Sequence, residues 1–459
     1  MRSFPMRPAP LPSARKSRKN EPVVPHKLTA AALLHRLQPF GAEAHLALAV
    51  SGGGDSMGLL ALAAEAQKLD YAPRFSVLTV DHKLRPEAAD EAAQVGDICR
   101  ALGLPHYLLA ADENLSQTGI QQEARNLRYR LMAGWCAAYE AQALVLAHHQ
   151  DDQAETVLMR MARGSGIKGL GGMAPRRKIH TEAGPLLLLR PFLNDAGDAL
   201  KNIAAAAGLP VIDDPSNEDT RFERVRWRRL LPKLAAEGLD AATLAEMAAT
   251  MRQTQAALDK KLTGWLETHA DWHEYGVLCL PRAGFEALPQ AHQQRLLGRF
   301  VQYFGQHAHP LKRRKSERVL QHMANSPFGG AVLGGAQLRW RGDTIFMGRE
   351  AAACPSPLAL HDGDGIWDNR FRFASEKADK KLHLAALGQA GVQEMRNRGV
   401  VFDKKLPAVY FAALPGLFAD EVLINCPVLT KTGGKLTGFE VSDVYHNGFY
   451  GHIFEHGQG

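Results

Sequence analysis

Glycines and small polar residues separate an apolar run from an alanine-rich run near the start of the sequence. They read SGGGDS, between LALAV and MGLLALAAEA. Glycine lets backbone N–H groups approach a ligand closely, and the N-terminus of a following helix attracts negative charge. We therefore predict that this junction cradles a pyrophosphate group through Ser51, Gly52, Gly53, Gly54 and Ser56.

Asp55, in the same junction, has two interpretations. Its carboxylate could help to hold Mg²⁺ beside the phosphates, or it could cap the helix of a plain glycine-rich turn. The junction matches neither the GxxxxGK[ST] pattern nor the GxGxxG pattern. Neither a P-loop kinase nor a Rossmann dehydrogenase therefore fits this junction.

A second chemical signal is the pair of acidic residues in DQAE, Asp152 and Glu155. Residues three apart on a helix share one face, so the two carboxylates can point at one ammonium group. The alternative is that they are ordinary acidic residues at a helix N-terminus, where they favour the helix dipole. The neighbouring Asp151 faces elsewhere, and we expect it to be the helix cap.

Two arginines, Arg125 and Arg128, show the same spacing in EARNLRYRLM. Guanidinium groups bind a carboxylate or a phosphate through two parallel hydrogen bonds, although a solvated charged face would give the same pattern. His148 and His149 end an apolar run, and we expect His149 to contact a nucleotide or a base. The two histidines do not indicate a zinc site, because no further zinc ligands accompany them in the sequence.

Basic residues mixed with aromatic residues follow in RFERVRWRRLLPKL, residues 221–234, which includes Arg228. This mixture suits phosphates and stacked single-stranded bases, although an amphipathic helix joining two domains would also explain it. A compact basic cluster, LKRRKSER at Leu311–Arg318, could follow a nucleic-acid backbone or form a solvated helix face.

Apolar runs and helical patterns alternate between residues 45 and 214, which predicts an α/β fold with a parallel sheet. The predicted strands are His45–Val50, Phe75–Val80, His106–Ala110, Ala143–His148, Leu186–Arg190 and Pro210–Ile212. The predicted helices include Met57–Leu69, Ile120–Glu140, Asp152–Arg163 and Ala196–Ala207. Ligands of such sheets bind at the carboxyl ends of the strands, where SGGGDS lies.

The length of 459 residues exceeds what one core usually serves. We predict a basic disordered tail over residues 1–27, an ATP-binding catalytic domain over 28–220, a helical domain over 221–330 and a small β-rich or α+β domain over 331–459. The tail holds seven Lys and Arg residues against one Glu, which accounts for most of the net charge of +7. After residue 329, alternating residues around Arg-Gly-Asp predict a hairpin.

Composition also bears on the compartment. No apolar run approaches the ~20 residues that span a bilayer, so we expect no membrane association. The five cysteines are scattered and never form CxxC. They are typical of reduced structural thiols in a cytoplasmic protein.

The SGGxDS pattern after a first strand resembles the PP-loop pyrophosphatases, whose fold is adenine nucleotide α-hydrolase-like. Four further stretches resemble one family among them, the tRNA(Ile)-lysidine synthases: VDHKLRPEA, EARNLRYRLM, AHHQDDQAETVLMRMARGSGIKGLGGM and DDPSNEDTRFERVRWRRLLPKL. The resemblance is close over residues 46–234 and weak beyond. One departure is Gly54, where relatives often carry a bulkier residue.

The resemblance implies a ligase that uses ATP and Mg²⁺ and acts on free L-lysine and a tRNA(Ile) with a CAU anticodon. The wobble cytidine would be adenylated at O2, and the lysine amine would then replace AMP to give lysidine. Asp55, Asp152, Glu155 and Arg125 are the implied catalytic residues, and Asp81 and His82 the implied additional nucleotide contacts.

The implied substrate contacts are Arg125, Arg128, His149, Asp152, Glu155, Arg163 and Arg228. Arg163 opens RGSGIKGL, a loop that could close over the adenylate or receive a flipped base. A PP-loop cytidine thiolase and an inactive RNA-binding relative are the alternatives. The absence of CxxC disfavours the thiolase, and the intact motifs disfavour the inactive relative. The sequence leaves the oligomeric state open.

Overall fold

A computed structural model of the protein describes residues 28–81, 88–110, 120–212, 219–306, 311–360, 363–375, 382–430 and 439–443. The predictions for the tail of residues 1–27 and for His82 lie outside these ranges. The chain divides into two compact units. The first unit contains residues 1–148 and 195–217, and the second contains residues 149–194 and 218–459.

Helices and strands alternate through the first half of the chain. In chain order they are α1 Ala30–Leu37, β1 His45–Ala49, α2 Gly54–Ala66, β2 Arg74–Asp81, α3 Ala88–Ala101, β3 His106–Ala110, α4 Ile120–Ala138, β4 Ala143–Val145, α5 Gln150–Ala162, α6 Ile167–Leu170, β5 Arg176–Thr181, β6 Gly184–Leu189 and α7 Gly197–Ala206. Strands β1 to β4 belong to the first unit, with α1 to α4 and α7.

The first unit contains the predicted parallel sheet. Strand β1 pairs in parallel with β2 on one side and β4 on the other, and β2 pairs in parallel with β3. Leu46, Leu48, Val77 and Val145 are fully buried or nearly so, as expected for apolar strands covered on both faces. The carboxyl end of β1 leads directly into SGGGDS, as the sequence predicts.

Helix α2 packs against α7 closely enough that one position must be glycine. A Cβ atom at Gly58 would lie 2.1 Å from the Leu200 carbonyl oxygen. Only glycine therefore permits this approach, and the approach fixes the helix that follows the glycine-rich junction.

Of two further predicted strands, one is confirmed and one is wrong. The strand predicted at Leu186–Arg190 is confirmed as β6, which pairs antiparallel with the unpredicted strand β5 through the turn at Gly184. Pro210–Ile212 forms no strand. The Ile212 N–H instead donates to the Gly52 carbonyl at 3.0 Å, so this short extended segment supports the glycine-rich junction.

The second unit continues with helices and antiparallel strands. They are α8 Glu223–Ala236, α9 Ala241–His269, β7 Asp271–His273, β8 Val277–Pro281, α10 Arg282–Glu286, α11 Gln290–Gly305, α12 Arg313–Asn325, β9 Phe328–Leu333, β10 Ala336–Arg341, β11 Thr344–Arg349, β12 Leu358–Ala359, β13 Gly363–Trp367, β14 Phe371–Ser375, β15 Leu382–Ala386, α13 Gly388–Asn397, β16 Pro415–Ala419, β17 Val422–Asn425 and β18 Phe439–Asp443.

Three antiparallel sheets form in this region, in the strand orders β7-β8-β11-β10-β9, β12-β15-β16-β17 and β13-β14-β18. The predicted hairpin around Arg-Gly-Asp is confirmed as β10–β11, which turns at Gly342 with φ of 58°. One apolar core joins α9, α11 and α12 to the first of these sheets, and another fills the C-terminal sheets. No helix among the described residues is long and apolar enough to cross a membrane.

Candidate functional site

The glycine-rich junction owes its shape to Gly52. This residue has φ of 87°, which disfavours any residue with a side chain. A Cβ atom here would also lie 2.4 Å from Ile212 Cδ1. The chain can therefore turn from β1 into α2 and accept the segment at Ile212 against it only with glycine at this position.

The hydroxyl group of Ser56 stabilises the same turn through two hydrogen bonds. The Ser56 hydroxyl donates to the Gly53 carbonyl at 2.8 Å and accepts the Ser51 N–H at 3.2 Å. Gly53 is the N-cap of α2, and no side chain caps this helix end. The interpretation of Asp55 as the cap is wrong, because Asp55 lies inside the first helical turn.

The junction fits a phosphate group. A Cβ atom at Gly53 would meet only the Ser51 hydroxyl, at 3.7 Å, so space remains above the loop. The N-terminus of α2 supplies backbone N–H groups and a positive dipole end toward that space. Asp55 is in the first turn, where one carboxylate together with phosphate oxygens is a common Mg²⁺ ligand set. Among the described residues, no group of three or more His, Cys, Asp or Glu could hold a metal alone.

Lys201 is a candidate phosphate contact that the sequence did not reveal. A Cβ atom at Gly54 would lie 3.0 Å from Lys201 Cγ, so the lysine stem on α7 runs beside the loop. A bulkier residue at position 54 would push this stem aside. No local pattern identifies Lys201, because its position depends on the packing of α7 against α2.

The two arginines on α4 share a face, as their spacing predicts. The guanidinium carbons of Arg125 and Arg128 lie 5.1 and 5.9 Å from the centre of the Tyr129 ring. Stacking on a buried aromatic ring holds both forks in defined orientations. In the same unit, Asp81 is the last residue of β2, at the carboxyl end of the sheet. Their roles as ligand contacts stay predictions.

In the second unit, the acidic pair on α5 converges on one point. Glu155 is fully buried and Asp152 nearly so, and both accept hydrogen bonds from Arg224 on α8. The Arg224 Nη2 to Asp152 Oδ1 distance is 2.5 Å, and the Arg228 Nε to Glu155 Oε1 distance is 2.7 Å. The shared face is confirmed. The pair is not an open cage, because two guanidinium groups already contact it.

The charges in this cluster alternate between Asp152 and Glu155 on α5 and Arg224 and Arg228 on α8. Burial would lower the pKa of Arg224, but the two carboxylates outweigh that effect and raise the pKa above its ordinary value. The side chains of Arg224 and Arg228 keep 35% and 47% of their surface exposed, while the Glu155 side chain keeps none. The arginines therefore reach the buried carboxylates from the solvent side.

His149 positions this acidic pair. It is the N-cap of α5: its Nδ1 accepts the Asp151 N–H at 3.2 Å, and its own N–H donates to Asp152 Oδ2 at 3.1 Å. The expectation that Asp151 caps the helix is wrong, because α5 begins at Gln150 and Asp151 lies in its first turn. One Asp152 oxygen thus closes the helix end, and the other faces Arg224.

The second glycine-rich loop, residues 163–173, is held by three side chains. Arg160 donates to the carbonyls of Gly169 and Gly172 at 3.0 and 2.7 Å. Arg252 on α9 donates to the Gly171 and Met173 carbonyls, and Gln153 bonds both backbone groups of Met173. Arg163, at the start of the loop, pairs with Glu223 at the start of α8. Its role as a substrate contact stays a prediction.

All five cysteines lie among the described residues and are free thiols. Burial raises the pKa of Cys99, Cys136 and Cys426 to about 12, and that of Cys279 and Cys354 to about 11. A thiol with so high a pKa is a poor nucleophile at neutral pH. Sulfur chemistry on a cysteine of this chain has no support in these environments.

A glycine-rich turn from a parallel strand into an uncapped helix, with an aspartate in the first turn, is typical of a nucleotide-binding domain. The sequence profile of the PP-loop domain matches residues 26–234. This match implies the use of ATP.

Relatives identify the family. A tRNA(Ile)-lysidine synthase of Ruegeria pomeroyi is 35% identical over 90% of this chain and 94% of its own length. Another from Methylobacterium nodulans is 42% identical over 68% of this chain and 91% of its own length, and one from Rhizobium meliloti is 31% identical over 90% and 89%. The chain belongs to the tRNA(Ile)-lysidine synthase family, which consists of ligases that form a carbon–nitrogen bond.

Proposed function

We propose that this protein joins free L-lysine to C2 of the wobble cytidine in a tRNA(Ile) with a CAU anticodon, in the cytoplasm. ATP and Mg²⁺ would activate the cytidine O2 as an adenylate with release of pyrophosphate. The lysine amine would then form the C2–N bond as the C2–O bond to AMP breaks. The observation that carries the proposal is the alternating cluster of Asp152, Glu155, Arg224 and Arg228.

This cluster matches the charges of free lysine. Lysine carries a side-chain ammonium, which suits the two carboxylates, and an α-carboxylate, which suits a guanidinium fork. Arg224 now occupies the carboxylates that an ammonium would need. We propose that the lysine ammonium replaces Arg224 at Asp152 and Glu155, and that Arg224 then pairs with the lysine α-carboxylate. This exchange gives both the side-chain ammonium and the α-carboxylate of lysine an oppositely charged partner.

The same carboxylates would activate the nucleophile. An ammonium has no lone pair, so lysine must lose a proton before it attacks the adenylated carbon. Glu155 would contact this ammonium and would therefore be within reach of the proton that the ammonium must lose. The structure fixes both carboxylates on one rigid helix, and His149 holds Asp152 at the helix end.

The first unit would supply the activation step. The loop from Ser51 to Ser56 would hold the departing pyrophosphate through backbone N–H groups, and Lys201 would offer a further positive charge. Asp55 would hold Mg²⁺, which neutralises charge on the phosphates. Arg125 and Arg128 would contact the phosphate of the adenylate, and Asp81 would contact the nucleotide.

The test is incorporation of radiolabelled lysine into a CAU-bearing tRNA(Ile) transcript with ATP and Mg²⁺. A methionine tRNA with the same anticodon is the comparison substrate. We expect label on the isoleucine tRNA alone. Absence of label with both tRNAs, under conditions that support tRNA-dependent exchange of ATP with pyrophosphate, would refute lysine as the nucleophile.

Variants separate the two steps. Asp55→Ala should abolish exchange of ATP with pyrophosphate. Asp152→Asn should leave exchange intact and raise the KM for lysine, whereas Asp151→Asn, one residue away, should leave that KM unchanged. An unaltered KM for lysine in Asp152→Asn would refute the proposed lysine site.

A further inference from the structure

A cavity of about 440 Å³ opens beside the outer edge of the sheet β7-β8-β11-β10-β9. Its lining includes Phe328 at the start of β9, Arg339 and Arg341 on β10, and the segment Pro407–Val409. We call it the Phe328 pocket. Both charged residues in its lining are arginines. None of the residues that the proposed reaction uses lies in it.

Sheet register places an aromatic ring and two guanidinium groups on one face. Phe328 stands opposite Arg341, and Gly330 stands opposite Arg339. Side chains two residues apart on a strand point to the same side, so Phe328, Arg339 and Arg341 share a face. Phe328 keeps 69% of its surface exposed, although large apolar side chains are usually buried.

The exposed ring is mounted on a rigid support. The Trp340 indole and the Arg282 guanidinium each donate to the Ser326 carbonyl at 3.0 Å, two residues before the ring. The Gly342 N–H donates to the Pro327 carbonyl at 3.0 Å. Phe328 therefore does not stand on a loose loop end. Hydrogen bonds to the carbonyls of Ser326 and Pro327 hold the backbone that leads into this residue.

Arg339 is held in place as well. A Cβ atom at Gly330 would lie 2.5 Å from Arg339 Cδ, so the arginine stem crosses the backbone of β9 at a glycine. Neither Arg339 nor Arg341 pairs with a carboxylate within the described part of the chain. Arg341 lies 3.4 and 3.3 Å from the carbonyls of Lys404 and Lys405, so two further basic residues belong to this region.

We propose that the Phe328 pocket binds one unpaired nucleotide of the RNA substrate, with its base stacked on Phe328 and its phosphate on Arg339 and Arg341. The inference rests on the proposed function, since that function supplies a tRNA. Aromatic rings bind bases through their faces, and arginines bind the adjoining phosphates. An apolar peptide would use the ring but would leave both guanidinium groups without anionic partners.

The first experiment locates the nucleotide. Transcripts of tRNA(Ile) carrying 2-aminopurine at one unpaired position at a time are mixed with the full-length protein, and fluorescence is recorded. Stacking on an aromatic ring quenches this base. We expect one position to be quenched by the wild-type protein, not by Phe328→Ala, and again by Phe328→Tyr, which restores an aromatic face.

The second experiment measures affinity for the unmodified transcript. Phe328→Ala should raise the Kd about 5- to 20-fold, the lower part of the range for loss of one stacked base. Val332→Ala, at a residue 47% exposed on the same edge strand and outside the pocket, should leave the Kd unchanged. Arg339→Ala should make the slope of log K against log salt shallower by about 0.7, as expected for one lost phosphate contact.

Equal Kd values for the wild type and Phe328→Ala would overturn the inference. So would a change in oligomeric state of Phe328→Ala without a change in RNA affinity, because the pocket would then be a protein contact. These binding measurements need no turnover. A protein that binds the RNA through Phe328 but incorporates no lysine would contradict the proposed function and leave this inference standing.

Discussion

Replacing Glu155 by glutamine tests the buried ion cluster most directly. The substitution keeps the size of the side chain and removes its charge. In the structure, one Glu155 oxygen accepts from Arg224 and the other from Arg228. The glutamine amide can still accept from one arginine, but its NH₂ group must face the N–H donor of the other.

The expected cost follows from these contacts. A hydrogen bond between charged groups contributes about 1.5–3 kcal/mol, and a buried polar group without a partner costs a similar amount. Both arginines are partly exposed and can turn toward water, which reduces the loss. We expect Glu155→Gln to lower the free energy of local opening by about 2 kcal/mol, or roughly 30-fold in the opening equilibrium.

Hydrogen exchange followed by mass spectrometry measures this opening on the full-length protein. Peptides from α5 and α8 should exchange roughly 30-fold faster in Glu155→Gln, while peptides from β10 and β11 should not change. Glu317→Gln is the matched control, because Glu317 pairs with Arg313 at 2.8 Å on an exposed face of α12. Loss of such an exposed pair changes stability by less than about 1 kcal/mol.

Equal exchange of α5 in the wild type and in Glu155→Gln would refute the reasoning. It would mean that the guanidinium groups bring no net stability to this helix pair. Faster exchange spread evenly over both units would also contradict it, because the predicted effect is confined to the elements that the cluster joins.

Other predictions test packing, titration and thiol reactivity. Gly58→Ala should destabilise the first unit by about 2–3 kcal/mol, because the new methyl group would clash with the Leu200 carbonyl. Its control is Gly264→Ala, at an open position on α9, which should stabilise that helix by about 0.5–1 kcal/mol. The midpoint of urea unfolding measures both effects. Burial, together with three nearby arginines, lowers the pKa of Lys168 from 10.5 to about 8. The unfolded chain therefore binds more protons between pH 8 and 10.5, so stability from this group rises with pH through that window. Lys168→Met should be more stable than the wild type at pH 7, by at most about 3 kcal/mol, and this advantage should vanish near pH 10.5; an advantage independent of pH would contradict the assignment. Finally, iodoacetamide at pH 8 should label none of the five cysteines in the native protein and all of them in urea, and rapid labelling of a native thiol would show that burial does not protect it.

Local patterns carried the sequence predictions that succeeded. The apolar run, the glycines and the alanine-rich helix lie next to each other, so the turn from β1 into α2 follows from adjacent residues. The shared face of Asp152 and Glu155 likewise depends only on helix geometry. Both features appear in the structure where the sequence predicts them.

Long-range features were out of reach of the same reasoning. Arg224 contacts Glu155 across 69 residues of sequence, and Lys201 reaches Gly54 only through helix packing. Arg224 and Arg228 are four residues apart, which is compatible with a shared helix face, but this spacing does not identify the partner of that face. For Leu186–Arg190 the apolar pattern indicated a strand, but nothing in a strand's own sequence states whether its neighbour runs parallel or antiparallel.

Helix ends were a further source of error. Asp151 and His149 both have side chains that accept from a backbone N–H, so either could cap α5. The structure selects His149 because Asp152, three residues later, completes the reciprocal pair of bonds. The helix starts two residues earlier than predicted, so Asp151 lies in the first turn and not at the cap.

The discontinuity of the first unit has a consequence for synthesis on the ribosome. Its sheet strands are complete by residue 145, but the segment that meets Gly52 comes at Ile212, and α7 lies just before it. Translation at roughly 5–20 residues per second needs several seconds to cover this interval. The nascent chain must therefore hold an unfinished nucleotide loop, with the surface of α2 uncovered, until the returning segment emerges. During this interval, a ribosome-associated chaperone could bind the apolar surface of α2.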